Sequence, residues 1–265
     1  MLIVGERINS TRIQIQGVIK NRDAATILKE AHAQISAGAA FIDVNCAVTS
    51  GDEVQEIDWV ISVLQSAIKD ISICIDSPNY LAIERALAIY NAKGSLMINS
   101  ITGEEERIKR ILPLAKKYNT SLVALVMDDH GMPNTAEERL EQARKIFDRV
   151  KREGFNTDKL YFDPLIRPIS TEPQQAVEFL KSIPLIKSLG AKTICGLSNV
   201  SFGLPSRKAI NSAFLAMAIG FGLDAAILDP TDKIMISSLR ASSALMGLDD
   251  YCAEYIQAFR EGKLI

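Results

Sequence analysis

The chain is short of the residues that most catalytic and metal-binding schemes need. It has only two histidines, His32 and His130, 98 positions apart, and four cysteines, Cys46, Cys74, Cys195 and Cys252, with no C-x-x-C pair. A structural or catalytic zinc needs three or four such ligands, so no bound metal is expected. The cysteines lie far apart, three of them in or beside apolar runs, and read as reduced, buried thiols. There is no apolar run near the ~18 residues of a membrane span. Met1-Leu-Ile-Val-Gly-Glu-Arg7 also lacks the basic start and long apolar stretch of a secretory signal. A net charge of −2 gives no electrostatic footprint for nucleic acid or an anionic membrane. The expectation is a cytoplasmic protein with no nucleic-acid and no membrane partner.

Also missing are a Ser-His-Asp order, a Cys-His pair and a glycine-rich phosphate cradle. No lysine follows the middle strands, which argues against Schiff-base chemistry. What the 265 residues do have is repetition. Eight short, continuously apolar runs recur: Leu2–Val4, Ala40–Val44, Ile71–Ile75, Ser95–Ile98, Leu122–Met127, Leu160–Phe162, Thr193–Leu197 and Ala225–Leu228. Each is followed by a stretch of helical periodicity, and Asp249–Arg260 adds a last helix. Strands apolar on both faces belong to covered parallel sheets. Eight βα units in this length predict a (β/α)8 barrel, residues 1–265 forming one domain. Trp59, between Ile57 and Ile61, reads as packing, and Ala213–Ile219 as a buried helix.

Polar residues follow almost every run: Glu6-Arg7-Ile8-Asn9, Asp43-Val44-Asn45, Asp76-Ser77, Asn99-Ser100, Asp128-Asp129, Asp163-Pro164, Ser198-Asn199 and Asp229-Pro230. In a barrel these share one rim. Asp and Asn after a strand are also ordinary helix caps and turn formers, so any one of them has a structural alternative. As a set, carboxylates and amides suit a flat, neutral heterocycle with adjacent N–H donors and a carbonyl. One carboxylate can accept two N–H bonds, and one amide can donate and accept together. A pterin ring is such a ligand.

Gly5-Glu-Arg-Ile-Asn9, Cys74-Ile-Asp76-Ser77, Met97-Ile-Asn99-Ser100, Asp163-Pro-Leu165 and Gly196-Leu-Ser-Asn-Val-Ser201, in this order, resemble the methyltetrahydrofolate:corrinoid methyltransferases. The related pterin-binding module of cobalamin-dependent methionine synthase carries similar motifs. The resemblance spans essentially the whole chain. It implies that Asp76, Asn99 and Asp163 hold the pterin edge, with Ser198 beside them. It implies that Asn199 hydrogen-bonds N5, the methyl-bearing nitrogen, and that Arg207 lies near the folate. The implied substrate is tetrahydrofolate or its 5-methyl form. The implied partner is a corrinoid (cobalamin) protein acting in trans, and the implied assembly a homodimer. Phe202 stands where enzymes that methylate corrinoid iron–sulfur proteins tend to carry Gln, so Ser201-Phe202 is more similar to the methionine synthase module.

Two other readings stay open. Ser206-Arg207-Lys208 is similar to a signature of dihydropteroate synthases, although Asn45–Gly51 lacks their Arg-Pro-Gly run. The alternative for Arg207 and Lys208 is a solvated first helical turn. A non-catalytic pterin- or corrinoid-protein-binding barrel is the reading from another class. His130 reads as a solvated loop residue and His32 as lying on an exposed or interface helix face.

Overall fold

A computed structural model describes residues 1–48 and 51–265; Thr49 and Ser50, part of the loop compared above with the Arg-Pro-Gly run, lie outside the described residues. The chain alternates strand and helix: β1 (Leu2–Asn9), α1 (Ile13–Lys20), α2 (Ala24–Ser36), β2 (Phe41–Asn45), α3 (Glu53–Ala67), β3 (Ile73–Asp76), α4 (Tyr80–Ile89), β4 (Leu96–Ile101) and α5 (Glu105–Lys117). It continues with β5 (Ser121–Leu125), α6 (Ala136–Arg152), β6 (Leu160–Asp163), α7 (Gln175–Lys187), β7 (Lys192–Gly196), α8 (Arg207–Gly220), β8 (Ala225–Leu228), α9 (Lys233–Leu245) and α10 (Ala253–Arg260). The eight strands pair in sequence order, all parallel, and β8 pairs with β1, closing the barrel. The predicted (β/α)8 class is the observed one.

Strand side chains alternate between two faces, and here both faces are covered. One set faces the helices: Ile42, Val44, Ile73, Ile75, Ile98, Leu122, Leu160 and Phe162 pack with buried helix residues such as Ile57, Ile61, Ile83 and Ile111. A second shell around Phe179, Phe214, Leu215 and Leu239 covers β7 and β8. The other set fills the bore: Val4, Phe41, Cys74, Met97, Val123, Tyr161, Ile194, Ala225 and Ile227 form a separate apolar plug. That plug gives the bore a floor, and whatever stands two residues further along each strand rests on it.

Local differences from the sequence expectation have identifiable causes. β1 runs to Asn9 and not Val4, because a register shift between Gly5 and Ile8 lets Glu6 and Arg7 stay within the strand. The helix α1 has no side-chain cap and carries Gly17 in an Ile-Gln-Ile-Gln alternation, so it shows little helical signal. β5 stops at Leu125, and Asp128 pairs with Gly131 in a small antiparallel bridge. Asp128 and Asp129 are therefore loop residues and not the end of a strand. Asp249–Arg260 is broken by positive φ at Tyr251 and Cys252, which leaves Cys252 exposed while the other three cysteines are buried. Trp59 is partly buried against the core, with the Arg22 guanidinium 5.0 Å above its ring. His32 and His130 are both exposed.

Candidate active site

The side chains that cap the helices are not those that end the strands. Asp52 caps α3, Asn79 caps α4, Thr135 caps α6 in a full capping box with Glu138, and Asp232 caps α9. Asn45, Asp76, Asn99 and Asp163 cap none of these helices, so capping does not account for them.

The period of two places these residues. Phe41, Cys74, Met97 and Tyr161 belong to the bore plug, so Asp43, Asp76, Asn99 and Asp163, each two positions on, face the same bore at its carboxyl end. Asp76 and Asn99 are register partners on β3 and β4, and Asp163 pairs with Leu125 on the next pair of strands. Asn199 closes the short 3-10 turn Leu197–Asn199 that follows β7 and is exposed. Neither the Asn99 nor the Asn199 side-chain amide has a hydrogen-bond partner among the described residues. The Asn99–Ser100 peptide is cis.

Neighbouring strands are tied across the rim. Asn45 Nδ2 donates to Asp76 Oδ2 at 2.9 Å, and Asn45 Oδ1 accepts from Ser10 Oγ at 3.1 Å. Ser198 Oγ donates to Glu6 Oε1 at 2.9 Å, joining β7 to β1. Asp163 accepts the Leu165 N–H at 2.8 Å and also the Gly196 N–H, joining β6 to β7. Arg7 on β1 reaches Asp229 Oδ2 at 2.8 Å, beyond β8, and Glu30 on α2. Arg107 donates to the carbonyls of Ser100 and Ser77, both at 2.8 Å, holding the ends of β3 and β4 together. Arg207 is the first residue of α8; its Nε donates to Ser201 Oγ at 3.0 Å and its Nη2 to the Ser198 carbonyl. Arg207 thus braces the β7 turn, and Lys208 pairs with Asp232 at 2.8 Å.

Burial shapes the electrostatics. Desolvation pushes the Asp163 carboxyl up to about 6, opposed by the two backbone N–H groups and by the Arg139 charge. Burial raises Asp76, opposed by the Asn45 hydrogen bond, and raises Glu6, opposed by Ser198. Asp43 is raised well above the carboxylate range by burial and by the charge of Asp76. Its Oδ1 has no partner. The floor thiol Cys74, and Cys195 on the helix-facing side of β7, are pushed up by burial and remain neutral. The result is a cup that accepts hydrogen bonds at several carboxylates, offers two free amides, and stands on an apolar base. Polar groups this desolvated are costly unless a ligand or water satisfies them.

Sequence reasoning placed Asp76, Asn99, Asp163, Ser198 and Arg207 near one another, with Glu6 and Asp43 on the same rim, but omitted two contributors, Arg107 and Arg139. Asp43 and Glu6 were visible as interior-parity residues two places after Phe41 and Val4. Arg107 and Arg139 lie on helices, and only their spacing from buried helix neighbours would have marked them. Among the described residues no group of three or more His, Cys, Asp or Glu side chains is arranged to hold a metal ion. No helix there is long and apolar enough to cross a membrane.

A family model described as pterin binding enzyme matches residues 5–229. A methylcorrinoid:tetrahydrofolate methyltransferase of Eubacterium limosum is 33% identical over 269 residues, spanning 100% of this chain and 98% of that protein. The methionine synthase of Mycobacterium tuberculosis is 25% identical over 264 residues, with 94% of this chain aligned to 22% of that protein. Among solved structures, the dihydropteroate synthase of Yersinia pestis superposes with a TM-score of 0.68 over 93% of both chains at 17% identity. That of Coxiella burnetii, in complex with pteroic acid, gives 0.71 over 94% of both at 14% identity. At such identities the structural likeness is one of fold.

Proposed function

Because this chain belongs to the family of pterin binding enzymes, we propose that its cup holds a tetrahydrofolate and that it transfers a methyl group between folate N5 and the cobalt of a corrinoid carried by a separate protein. The observation that carries the reading is the set of interior-facing acids and amide above the apolar floor, Asp76, Asn99 and Asp163, with Asn199 on the exposed turn that follows β7. A pterin offers N–H donors for the two carboxylates and a carbonyl for an amide N–H. Residues 1–265 act as one methyltransferase domain.

In this reading Asp76 and Asp163 accept the N–H groups of the pyrimidine edge, and Asn99 matches a donor and an acceptor together. Ser198, tied to Glu6, and Arg207, braced on Ser198 and Ser201, fix the turn that carries Asn199. Asn199 is the catalytic residue. When methylfolate is the donor, the leaving N5 must be protonated or strongly hydrogen-bonded in the transition state, since an amide-like anion is a poor leaving group. Asn has no proton to yield at neutral pH, so it stabilises the N5–H that solvent or a relayed water supplies. In the other direction the N5 lone pair forms the new N–C bond, the Co–C bond breaks, and its electron pair stays on cobalt. N5 then releases its proton. Asn199 stabilises the same charged nitrogen in both directions, as reversibility requires.

The finer expectations follow from the same reading: a cytoplasmic homodimer, with the corrinoid protein meeting the open mouth. Support for a dimer comes from exposed Met217 and Phe221 at the end of α8 and Leu245 and Leu248 at the end of α9, two helices packed side by side. The decisive experiment mixes the protein with free cob(I)alamin and 5-methyltetrahydrofolate, or with methylcobalamin and tetrahydrofolate, and follows the corrinoid absorbance. Enzyme-dependent methyl transfer is the expected result. Folate binding without turnover would favour the non-catalytic barrel. Pteroate synthesis from a pterin pyrophosphate and 4-aminobenzoate would favour the dihydropteroate synthase alternative.

A further inference from the structure

Arg139, in the first turns of α6, is the largest side chain in the protein with no solvent exposure at all. It has no carboxylate within ion-pair distance among the described residues. An isolated buried guanidinium is costly unless its N–H groups are satisfied, and here four acceptors meet it. Nε donates to the Pro164 carbonyl at 2.8 Å and Nη1 to the Asn134 carbonyl at 3.0 Å. Nη2 donates to the Leu165 carbonyl at 3.3 Å and to Gln175 Oε1 at 2.6 Å. Two of these acceptors belong to the turn that leaves β6.

That turn is not one the chain adopts freely. Leu165 has φ of 62°, in the left-handed region that a leucine rarely occupies. Such a conformation persists when its surroundings over-determine it. The consequence of the turn is that the Leu165 N–H points back at Asp163 Oδ1, 2.8 Å away. Guanidinium, strained leucine and carboxylate therefore form one mechanical chain.

We propose that Arg139 is a positioning residue: by gripping the Pro164 and Leu165 carbonyls it holds the left-handed turn whose N–H fixes Asp163 in the orientation that receives the pterin. This rests on the reading of Asp163 as a folate ligand. The other groups facing the pair are Cys195 of β7, against Asp163, and Arg167, Glu138, Glu172 and Glu178, around the guanidinium. Arg139 and the Leu165 N–H both hold the Asp163 carboxyl down against the upward push of burial.

The test uses Arg139→Met and Arg139→Lys, with two readouts. The first is the Asp163 titration in the folate-free protein, followed by 13C-carboxyl NMR and assigned with Asp163→Asn. Wild type should titrate near about 6, and both variants higher, Met more than Lys because Lys keeps the cation but not the fork. The second is folate affinity, expected to weaken roughly ten- to a hundredfold in Arg139→Met, the equivalent of one charge-assisted hydrogen bond. Arg139→Lys decides the matter if Arg139→Met does not fold. A folded variant in which the titration does not move overturns the proposal, whatever happens to affinity, since that is the pattern of a purely structural role. A wild-type protein that binds no folate would instead refute the functional reading, while the titration still reports on Arg139.

Discussion

Replacing Asp163 by Asn should change how stability depends on pH, in a direction opposite to that of carboxylates held down by ion pairs or hydrogen bonds. Asp163 is 8% exposed, and its carboxyl stands at about 6 against an ordinary 3.8. The folded state therefore holds the proton more tightly than the unfolded chain. Between these two pH values the unfolded state has released its proton and the folded state has not, so unfolding free energy falls as pH rises. Stability from this group is fully present below 3.8 and lost as pH climbs through about 6, and the gap is worth ~3 kcal/mol. Asn cannot ionise and does not suffer this loss. Its amide puts an NH2 group in place of one carboxylate oxygen beside two backbone N–H groups, a fixed penalty of about 1 kcal/mol at every pH. Urea unfolding followed by circular dichroism, for wild type and Asp163→Asn at intervals from about pH 3.5 to about pH 7, isolates the term by subtraction. The variant should gain ~3 kcal/mol relative to wild type across that window. Two curves that stay parallel would mean that Asp163 is not desolvated as its surroundings imply.

The same carboxyl predicts an acid limb in ligand binding: folate affinity, measured by calorimetry, should fall by up to about tenfold per pH unit below 6, and a flat profile would remove ionised Asp163 from the pterin edge. Asn199→Ala should lower the methyl-transfer rate by on the order of 10²–10³, the cost of one lost transition-state hydrogen bond, while folate affinity falls less. Unchanged turnover would exclude Asn199 from the chemistry. Phe179 is fully buried, its ring centroid 5.3 Å from that of Phe214; Phe179→Ala should cost about 3–5 kcal/mol of stability in chemical denaturation, without altering the acid limb.

The barrel was legible because every strand is buried on both sides and so reads as a short unbroken apolar run. Much of the cup was legible for a related reason. In β3, β4 and β6 the last interior position follows an apolar one by two, so Cys74 and Asp76, Met97 and Asn99, and Tyr161 and Asp163 announce themselves as floor and rim. What escaped was backbone geometry. Asp128 looked like a strand end because Val126 and Met127 are apolar, yet the chain turns there into a bridge with Gly131. Cys252 looked buried on a continuous helix, but positive φ values at Tyr251 and Cys252 rotate it outward. Arg207, expected near the ligand, also braces the turn that carries Asn199, a contact the sequence did not disclose. Arg139 is the instructive miss. It lies at helical spacing from Gln142, Ala143 and Ile146, all buried, so the periodicity put it on the inner face. The ordinary preference of arginine for the surface runs against what that spacing discloses.

The bridges Arg7–Asp229 and Ser198–Glu6 join residues separated by 222 and 192 positions. During synthesis the first strand must consequently wait, unsealed, until the last two have emerged. A ribosome-bound intermediate missing β7 and β8 has neither a closed wall nor the turn bearing Asn199. Contacts of such range are costly to form early, so folate-binding competence should appear abruptly near the end of translation, and folate added earlier would find nothing to stabilise.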